Sequence, residues 1–442
     1  MSEDSKRIGV VGLGKLGACV AACLASRGFD VIGIDAEPGK VEAIQNGRAP
    51  VDEPGLQQKI DEGSSRLRAT TNFAEVVKHS EVCFFITPTP SLPDGSFENQ
   101  YLIQALQAVA SEVRIQNKEY YLFNINSTVT PSTCDSIFKP MLEKILQMQC
   151  GKDFGLGYNP EFIALGNVVR GLLEPDFVLL GESDSQTGER LEQIYRRFCT
   201  NNAPIERMSC ANAELCKISV NCAVTMKISF VNQLSAVCAK MSGTDPRVIL
   251  RAIGRDRRIG SEYLKPGLGY GGPCFPRDNR LFQYTAKSLG VDTPLARATD
   301  EVNEQVNRRL LQTVLANVTK GNSVAVLGLA YKPLSNVVEC SAGVWLCQQL
   351  AGKGVSVFAH DYAANGNAAQ NLPPVKVRIV EDPKDLLDCS LFVITSPWPQ
   401  YQEVFKRMGK ELKRGAIIID PWGMLAGIAP LLKRVSYIDR LN

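Results

Sequence analysis

The sequence predicts an α/β protein in which two parallel-sheet domains flank a long central helix. An apolar, strand-like run opens onto a glycine at Arg7–Val11 and again at Ser323–Leu327, which predicts the start of two sheets. Residues 211–241 contain neither proline nor glycine and are followed by Gly243, a residue typical of helix C-termini, which predicts one long helix. The expected domains are residues 1–203, 204–318 and 319–442.

The N-terminal elements predict a strand–turn–helix–strand unit. Strand Arg7–Val11 meets a Gly-x-Gly-x-x-Gly turn, a helical stretch follows at 18–27, and a second apolar run at 31–34 ends in Asp35. This βαβ arrangement is typical of Rossmann-like domains. Further strands of one parallel sheet are expected at 82–86, 120–125 and 177–180.

The same rhythm restarts near the C-terminus, after a second helical region at 294–318. The fold class is therefore α/β, with two Rossmann-like parallel-sheet domains joined by a central long helix. Later strands of the second sheet are expected at 355–358, 391–395 and 416–419.

The composition excludes several classes of protein. Hydrophobic residues at 45% and charged residues at 21% exclude a disordered chain or a coiled coil. A net charge of +3 is too near neutral to predict a nucleic-acid partner. The polar N-terminus does not resemble a signal peptide, and no apolar run approaches the roughly 18–20 uninterrupted residues that span a bilayer. We expect a cytoplasmic protein with no membrane partner.

The cysteines and histidines narrow the chemistry. Fourteen cysteines without a C-x-x-C pair predict reduced, mostly buried thiols in a long chain of this kind. The two histidines, His79 and His360, lie near no other candidate ligands, so we expect no metal site and no Ser-His-Asp triad. Acid–base chemistry must then use Lys, Asp, Glu, Cys or water.

The N-terminal glycine turn is a candidate dinucleotide site because of its context. Gly12, Gly14 and Gly17 follow a strand and open a helix, which places a pyrophosphate at the helix N-terminus. Asp35 is placed to bind the ribose diol and would repel a 2′-phosphate, so NAD is expected rather than NADP. The alternative is that the glycines only permit close packing and Asp35 caps a loop.

A glycine- and proline-rich loop at 267–278 surrounds Cys274, with Asp278 four residues beyond it. Such a loop can display a nucleophile, although a buried cysteine in a turn is the alternative. Beside a nicotinamide, a thiol can hold an aldehyde as a thiohemiacetal and then as a thioester that water hydrolyses, so an alcohol becomes an acid in four electrons. Lys217 and Asn221, spaced i, i+4 on the long helix with Glu214 one turn earlier, are candidate oxyanion donors. The alternative for Lys217 is a surface salt bridge.

The order of these motifs resembles the UDP-glucose/GDP-mannose (nucleotide-sugar) dehydrogenase family nearly from end to end. The shared motifs are residues 12–17 with Asp35 and Lys40, 88–90, 127–129, 159–162, Glu214 with Lys217 and Asn221, 256–260, 267–278 and 327–332. The resemblance implies that Cys274 is the nucleophile and that Asp278 assists proton movement or activates water. It also implies that Lys217 and Asn221 stabilise oxyanions, and that Thr128 and Glu161 form a polar pair in which Glu161 is a candidate general base.

The resemblance further implies binding positions and an assembly. Arg258 is similar to an arginine that contacts the sugar nucleotide of a neighbouring subunit, which implies a homodimer or a higher homo-oligomer with the long helix as its core. The implied NAD-binding positions are Gly12, Leu13, Gly14, Lys15, Leu16, Gly17, Asp35, Lys40, Pro88, Thr89 and Thr128. The implied substrate-binding positions are Phe162, Ile163, Lys217, Asn221, Arg258, Tyr263, Gly271, Phe275 and Lys332.

Several residues depart from the family pattern. A glutamate expected before Gly166 is replaced by Leu165, next to Ala164. An arginine expected near the cofactor is absent from the segment at 336–340, and a nucleotide-contacting arginine is absent from residues 420–423. Pro273 and Arg277 also differ from the usual serine and lysine, without altering the chemistry. The losses put the identity of the substrate in doubt.

The sequence thus predicts an NAD-dependent dehydrogenase that oxidises the C6 alcohol of a nucleoside-diphosphate hexose twice, giving the uronate and two NADH. UDP-glucose is the favoured substrate, and residues 159–162 resemble members that oxidise plain hexoses more than members that oxidise N-acetylated sugars. A related enzyme for GDP-mannose, UDP-galactose or a UDP-N-acetylhexosamine is an alternative. A further alternative is a single-step hydroxyacid dehydrogenase in which the cysteine is incidental. The absence of the two arginines motivates another, a degenerate nucleotide-binding regulatory protein.

Overall fold

The structure is a computed structural model that describes residues 6–163, 165–319, 321–432, 436–439 and 441. The chain forms two compact units, Met1–Ser219 and Val220–Asn442, which we call the N-terminal and C-terminal units. Their boundary falls within the long helix. The three-domain division at residues 203 and 318 stays a prediction.

The N-terminal unit contains an eight-stranded sheet in the order β3-β2-β1-β4-β5-β6-β7-β8. The order 3-2-1-4 at its start is that of a Rossmann domain, in which the chain reverses direction across the sheet between β1 and β4. The strands are β1 Arg7–Val11, β2 Asp30–Ile34, β3 Leu67–Thr70, β4 Val82–Phe85, β5 Tyr121–Ile125, β6 Phe154–Tyr158, β7 Val178–Glu182 and β8 Ile205–Ser209. The helices are α1 Lys15–Ser26, α2 Pro38–Gln45, α3 Leu56–Glu62, α4 Phe73–His79, α5 Gln100–Ile115, α6 Lys139–Leu146, α7 Val168–Leu173 and α8 Ser185–Phe198.

The first sheet is parallel, as predicted, except at one pair of strands. β6 and β7 are antiparallel, with Tyr158 opposite Gly181, whereas the other neighbouring strands of this sheet are parallel. An antiparallel neighbour starts at the edge where the preceding strand ends, so the chain needs no crossover here. Residues 159–162 follow β6, which is parallel to β5. They lie at the carboxyl edge of the parallel strands, the edge at which such sheets bind ligands.

Small residues allow α1 to pack closely on the sheet. Its sequence is rich in alanine and cysteine, and residues 17–25 of the helix are buried. Ile8 and Val10 of β1 lie in the hydrophobic cluster on this side of the sheet, while Val11 belongs to the cluster on the other side. Burial on both faces explains why the strand is continuously apolar.

The long helix, α9, spans Cys210–Lys240, which confirms the prediction of one helix over this stretch. By length and composition alone it is long and apolar enough to cross a membrane. Of its apolar 18-residue stretch, 28% is buried within the described fold. Leu215, Met226, Phe230 and Val237 are exposed apolar side chains on this helix. We call these four residues the α9 apolar surface.

The C-terminal unit continues with three helices and a six-stranded sheet in the order β11-β10-β9-β12-β13-β14. Renumbered from its own first strand, this order is again 3-2-1-4-5-6, and each of its neighbouring pairs is parallel, which confirms the second Rossmann-like domain. The strands are β9 Ser323–Leu327, β10 Ser356–His360, β11 Val377–Ile379, β12 Leu391–Ile394, β13 Ile417–Ile419 and β14 Ser436–Ile438. The helices are α10 Pro246–Ile253, α11 Phe275–Ser288, α12 Pro294–Asn317, α13 Ala342–Gly352, α14 Asn365–Ala369 and α15 Pro399–Met408.

Candidate active site

The N-terminal glycine turn has the geometry of a dinucleotide cradle. Gly12 has φ +97°, and a Cβ there would lie 2.2 Å from the carbonyl oxygen of Ile86; a Cβ on Gly17 would lie 1.8 Å from the carbonyl oxygen of Gly12. These two glycines are therefore required for β1, α1 and the β4 loop to meet. A Cβ on Gly14 would meet nothing within 4 Å, and Gly14 is the N-cap of α1. This space at a helix N-terminus fits a pyrophosphate.

Asp35 lies at the carboxyl end of β2, beside the turn. Its Oδ2 accepts a hydrogen bond from the Leu13 N–H at 2.7 Å, and its Oδ1 accepts one from Glu37 N–H at 2.9 Å. Lys40 Nζ is 3.7 Å from Asp35 Oδ1 and 2.9 Å from Glu37. The hydrogen bond to Glu37 raises the pKa of Lys40. The carboxylate is thus fixed next to the turn while 13% of its side chain stays exposed, which suits a ribose diol.

Two loops face the turn from the next strands of the sheet. Ser127, after β5, accepts the Thr87 N–H at 2.9 Å and donates to the Thr87 carbonyl at 2.7 Å. Thr89 donates to the carbonyl of Thr128 at 2.7 Å. The predicted residues Pro88, Thr89 and Thr128 therefore lie together at the carboxyl edge of the sheet.

Glu161, Phe162 and Lys217 form a second group in the N-terminal unit. Lys217 Nζ lies 4.6 Å from the centre of the Phe162 ring, which packs at a tilt of 37° against the Phe177 ring with their centres 4.8 Å apart. Burial raises the pKa of Glu161 to about 7, while the charge of Lys217 acts in the opposite direction. A carboxyl group with this pKa can gain or lose a proton near neutral pH. Ile163 packs against Gly171 and the hydrophobic cluster around α1.

Glu214, one turn before Lys217, has a structural contact. Its buried carboxylate accepts the N–H groups of Ser132 and Cys134 at 2.6 and 2.8 Å, at the start of a helical segment. Burial raises its pKa to about 7. Lys217 is buried, with its ammonium group over an aromatic ring. The alternative that Lys217 forms a surface salt bridge is therefore wrong.

In the C-terminal unit, Cys274 is exposed at the N-terminus of α11. Asp278, one turn later and only 2% exposed, accepts a hydrogen bond from the Asn221 side-chain amide at 2.6 Å. Arg277 Nε is 3.8 Å from the same carboxylate. The structure therefore brings together Asn221 and Asp278, and places the thiol one helical turn from them. A helix N-terminus favours a thiolate.

The loop before Cys274 rests on the loop that carries Lys332. The Gly272 N–H donates to the Glu339 carbonyl at 3.0 Å. A Cβ on Gly271 would lie 2.3 Å from the Cys340 carbonyl oxygen, and one on Gly272 would lie 2.5 Å from the Tyr331 ring. Glycine is therefore required at both positions, because the two loops are in direct contact.

The other predicted substrate residues lie nearer the surface. Arg258 pairs with Asp256 at 2.6 Å and has an 88% exposed side chain. Tyr263 has φ +61° and packs edge-on against Phe275 at 6.3 Å. Lys332 Nζ lies 5.7 Å from the ring of Tyr331. None of these contacts tests the predicted roles, which stay predictions.

The environment of the cysteines separates Cys274 from most of the others. No disulfide joins the fourteen cysteines, all of which lie in the described residues; ten are buried, Cys216 and Cys222 are half-buried, and Cys274 and Cys340 are exposed. Burial raises the pKa of Cys23 and of Cys83 to about 12, so these thiols are protonated at neutral pH. The expectation of reduced, mostly buried thiols agrees with this distribution.

Three family models match the chain in order: the NAD binding domain at residues 6–199, the central domain at 211–305 and the UDP binding domain at 325–427 of the UDP-glucose/GDP-mannose dehydrogenase family. The chain belongs to this family. Membership of this family makes it an NAD-dependent nucleotide-sugar 6-dehydrogenase, with NAD as its cofactor. The open turn at Gly14 beside Asp35 fits that cofactor.

Relatives named for different substrates are about equally similar to this chain in sequence. The chain is 31% identical over 435 residues to a GDP-mannose 6-dehydrogenase of Azotobacter vinelandii, covering 95% of this chain and 97% of the relative. It is 32% identical over 372 residues to the UDP-glucose 6-dehydrogenase AglM of Haloferax volcanii, covering 83% and 86%. Its fold matches a UDP-glucose dehydrogenase from Pyrobaculum islandicum with a TM-score of 0.87 and 31% identity, covering 98% of this chain and 96% of that one.

The sequence reasoning missed one side chain next to a predicted site residue. Tyr195 of α8 is buried, and its hydroxyl lies 3.1 Å from Glu161 Oε1 and also contacts Asn159 Oδ1. No motif marks this tyrosine; only its position on the apolar face of a helix indicated that it would be buried.

Proposed function

We propose that the protein converts the C6 alcohol of a nucleoside-diphosphate hexose to the carboxylate in two oxidations, with Cys274 holding the intermediate and two NADH formed per sugar. The observation that carries this proposal is the exposed Cys274 thiol at the N-terminus of α11, one turn from the buried Asp278–Asn221 pair. A thiol that had only a packing role would be expected among the ten buried ones.

The residues divide the work as follows. NAD, when bound at the Gly12 turn, accepts a hydride in each oxidation. Cys274 adds to the aldehyde carbon, and the thiohemiacetal is then oxidised to a thioester that water cleaves. Lys217 and Asn221 stabilise the oxygen anions, and Asp278 or Glu161 takes the proton from water. Because the aldehyde stays covalently attached, it does not leave between the two steps.

Support for UDP-glucose as the substrate comes from three observations. Residues 325–427 match a UDP binding domain. The fold similarity to the UDP-glucose dehydrogenase from Pyrobaculum islandicum has a TM-score of 0.87, against 0.55 for a GDP-mannose dehydrogenase from Pseudomonas aeruginosa that is 28% identical. The motif at residues 159–162 favours plain hexoses over N-acetylated ones, which counts against the UDP-N-acetylhexosamines. Turnover of UDP-glucose should therefore exceed that of GDP-mannose, UDP-galactose and the UDP-N-acetylhexosamines, and a preference for any of these would reassign the substrate.

The double oxidation is tested by counting NADH per sugar consumed. Two NADH per uronate are expected, and a ratio of one would contradict the proposal. Cys274→Ala should abolish turnover, whereas Cys340→Ala, which removes the other exposed thiol, should retain it. Full activity of Cys274→Ala would instead favour a single-step dehydrogenase in which the cysteine is incidental.

We also propose that the α9 apolar surface is covered by a second copy of the chain. Phe230 and Val237 are 52% and 59% exposed, and a helix with so apolar a surface is typical of a homodimer interface. Phe230→Asp should lower the sedimentation coefficient from that of a dimer to that of a monomer. Val375→Asp, a charge placed at a 95% exposed valine of the C-terminal unit, is the control that should leave the assembly unchanged.

A further inference from the structure

A buried chain of polar side chains lies behind Glu161 in the N-terminal unit. Asn124, on β5, donates to Asn126 Oδ1 at 3.1 Å, and Asn126 donates to Asn159 Oδ1 at 3.0 Å and to the Asn159 carbonyl at 2.8 Å. The Tyr195 hydroxyl connects Asn159 Oδ1 with Glu161. The four side chains from Asn124 to Tyr195 are at most 3% exposed, so the positions of their hydrogens are set by each other.

The orientation of the Asn159 amide is fixed by its surroundings. Its Nδ2 donates to the carbonyl oxygen of Leu179 at 2.9 Å, and that oxygen can only accept. Rotating the amide by 180° would place Oδ1 against this carbonyl and Nδ2 against the donating amide of Asn126. Asn159 Oδ1 is therefore the acceptor that faces Tyr195.

Tyr195 has a single hydroxyl hydrogen and two neighbouring oxygens. Asn159 Oδ1 cannot donate in return, so the contact between it and the hydroxyl requires the hydrogen of Tyr195. The Tyr195 oxygen is then left to accept, and the atom beside it at 3.1 Å is Glu161 Oε1. An ionised carboxylate would place two acceptors side by side, whereas a protonated one donates and completes the chain.

We propose that Tyr195 is a positioning residue that accepts a hydrogen bond from protonated Glu161 while it donates its own hydrogen to Asn159. The order of donors is then Glu161, Tyr195, Asn159. In the free enzyme this order holds the Glu161 carboxyl neutral and fixes its rotamer. Glu161 acts as a base only in molecules that have lost this proton. That catalytic consequence rests on the proposed function, but the direction of the hydrogen bond does not.

The other groups around Glu161 do not replace this partner. Lys217, on α9, carries a positive charge and favours the ionised carboxylate. Cys23 on α1 and Cys199 at the end of α8 are thiols whose pKa values burial raises to about 12 and about 11, so both are neutral where Glu161 titrates. Burial raises the pKa of Glu161 to about 7, whereas a hydrogen bond donated by Tyr195 would lower it, so the two possible directions of this bond predict opposite changes of the pKa when the hydroxyl is removed.

The test is the titration of Glu161 followed by infrared spectroscopy in the full-length protein without substrate. The C=O band of a protonated carboxyl that disappears in Glu161→Gln belongs to Glu161, and it should be present at pH 6 and decline as the pH rises through about 7. Absence of this band at pH 6 in the unsubstituted protein would overturn the proposal, whatever the variants do. Because no turnover is measured, this result is separate from success or failure of the proposed reaction.

The variant Tyr195→Phe decides the direction of the hydrogen bond. If Tyr195 accepts from Glu161, its removal takes a partner from the protonated form, and the apparent pKa should fall by about one unit, a tenfold change in the proton dissociation constant. If Tyr195 donates, the pKa rises; a rise or no change overturns the proposal. Tyr121→Phe is the matched control, because Tyr121 of β5 is as buried as Tyr195 but its hydroxyl contacts Ser80, and this variant should leave the Glu161 titration unchanged.

Discussion

The two Rossmann-like sheets begin with the same turn and use it differently. Gly12 has φ +97° and donates its N–H to the Ile34 carbonyl at 2.8 Å; Gly328 has φ +108° and donates to the His360 carbonyl at 2.8 Å. The next N–H, from Leu13 or Leu329, reaches an aspartate at the end of the second strand at 2.7 Å in both cases.

The two turns diverge at the following residue. Gly14 leaves open space and caps α1, whereas Ala330 places a buried methyl group there and donates its own N–H to Asp361 at 2.9 Å. Asp35 stays partly exposed, but Asp361 is 2% exposed and accepts five hydrogen bonds. The same backbone conformation therefore leaves an open space beside the aspartate in the first sheet, whereas in the second sheet the aspartate is buried and has only structural hydrogen bonds.

The second turn is followed by a long loop before its helix begins. A Cβ on Gly17 of α1 would lie 1.8 Å from the Gly12 carbonyl oxygen, and one on Gly343 of α13 would lie 2.0 Å from the Gly328 carbonyl oxygen, so helix and turn meet in the same way. Gly343 follows Gly328 by 15 residues whereas Gly17 follows Gly12 by five, so ten additional residues lie between the turn and this helix glycine in the second case. This insertion carries Lys332, the Glu339 carbonyl that accepts the Gly272 N–H, and the Cys340 carbonyl that lies next to Gly271.

The largest effect is expected at Asp361. Asp361→Ala leaves four backbone N–H groups and the Trp398 Nε1–H without their acceptor and should lower the free energy of unfolding by about 3–5 kcal/mol. Urea denaturation followed by circular dichroism measures this loss. Asp35→Ala should cost only about 1 kcal/mol, because water can reach the groups it leaves. Equal losses of unfolding free energy in Asp35→Ala and Asp361→Ala would contradict the distinction between a solvent-accessible Asp35 and a buried Asp361.

The next largest effect is expected in cofactor affinity at Asp35. Asp35→Ala should raise the dissociation constant of NAD by about 10- to 100-fold, because charged hydrogen bonds to the ribose are lost. The ratio of NADP to NAD dissociation constants should decrease, since the carboxylate that repels a 2′-phosphate is gone. Isothermal titration calorimetry with both cofactors measures this. Asp30→Ala, at the start of the same strand, is the control that should bind NAD normally.

A methyl group at Gly14 tests the open space directly. Gly14→Ala should weaken NAD binding by about tenfold or more, since the pyrophosphate approaches the backbone there, and should change the unfolding free energy by less than about 0.5 kcal/mol. Gly39→Ala, whose added Cβ would also meet nothing within 4 Å, is the matched control with unchanged affinity. Unchanged NAD affinity of Gly14→Ala would mean that the cofactor does not use this space.

The smallest effect is expected from the reverse change in the second turn. Ala330→Gly removes the methyl group but leaves Asp361 sealed, so calorimetry should still show one NAD per chain. Its cost in stability should be about 0.5–1 kcal/mol. A second NAD site in this variant would show that the alanine, and not the buried aspartate, blocks the turn.

Local signals in the sequence predicted both turns and the long helix, because glycine spacing and the absence of Pro and Gly need no knowledge of distant contacts. The direction of β7 was not predictable in this way, since an apolar run has the same pattern in parallel and antiparallel strands. Tyr195 was missed for a related reason: its partner Asn159 is 36 residues away, and only folding brings them together. The open and sealed aspartates also look alike in sequence, as each simply follows a strand.

The distribution of thiols has a practical consequence for future experiments. A thiol-selective fluorophore or spin label applied to the native protein should modify Cys274 and Cys340 well before the ten buried sulfurs. With Cys340→Ala, Cys274 is the one exposed thiol left beside the half-buried Cys216 and Cys222, so brief labelling should place most of the probe at the N-terminus of α11. Protection of that sulfur by an added sugar nucleotide would then map occupancy in solution.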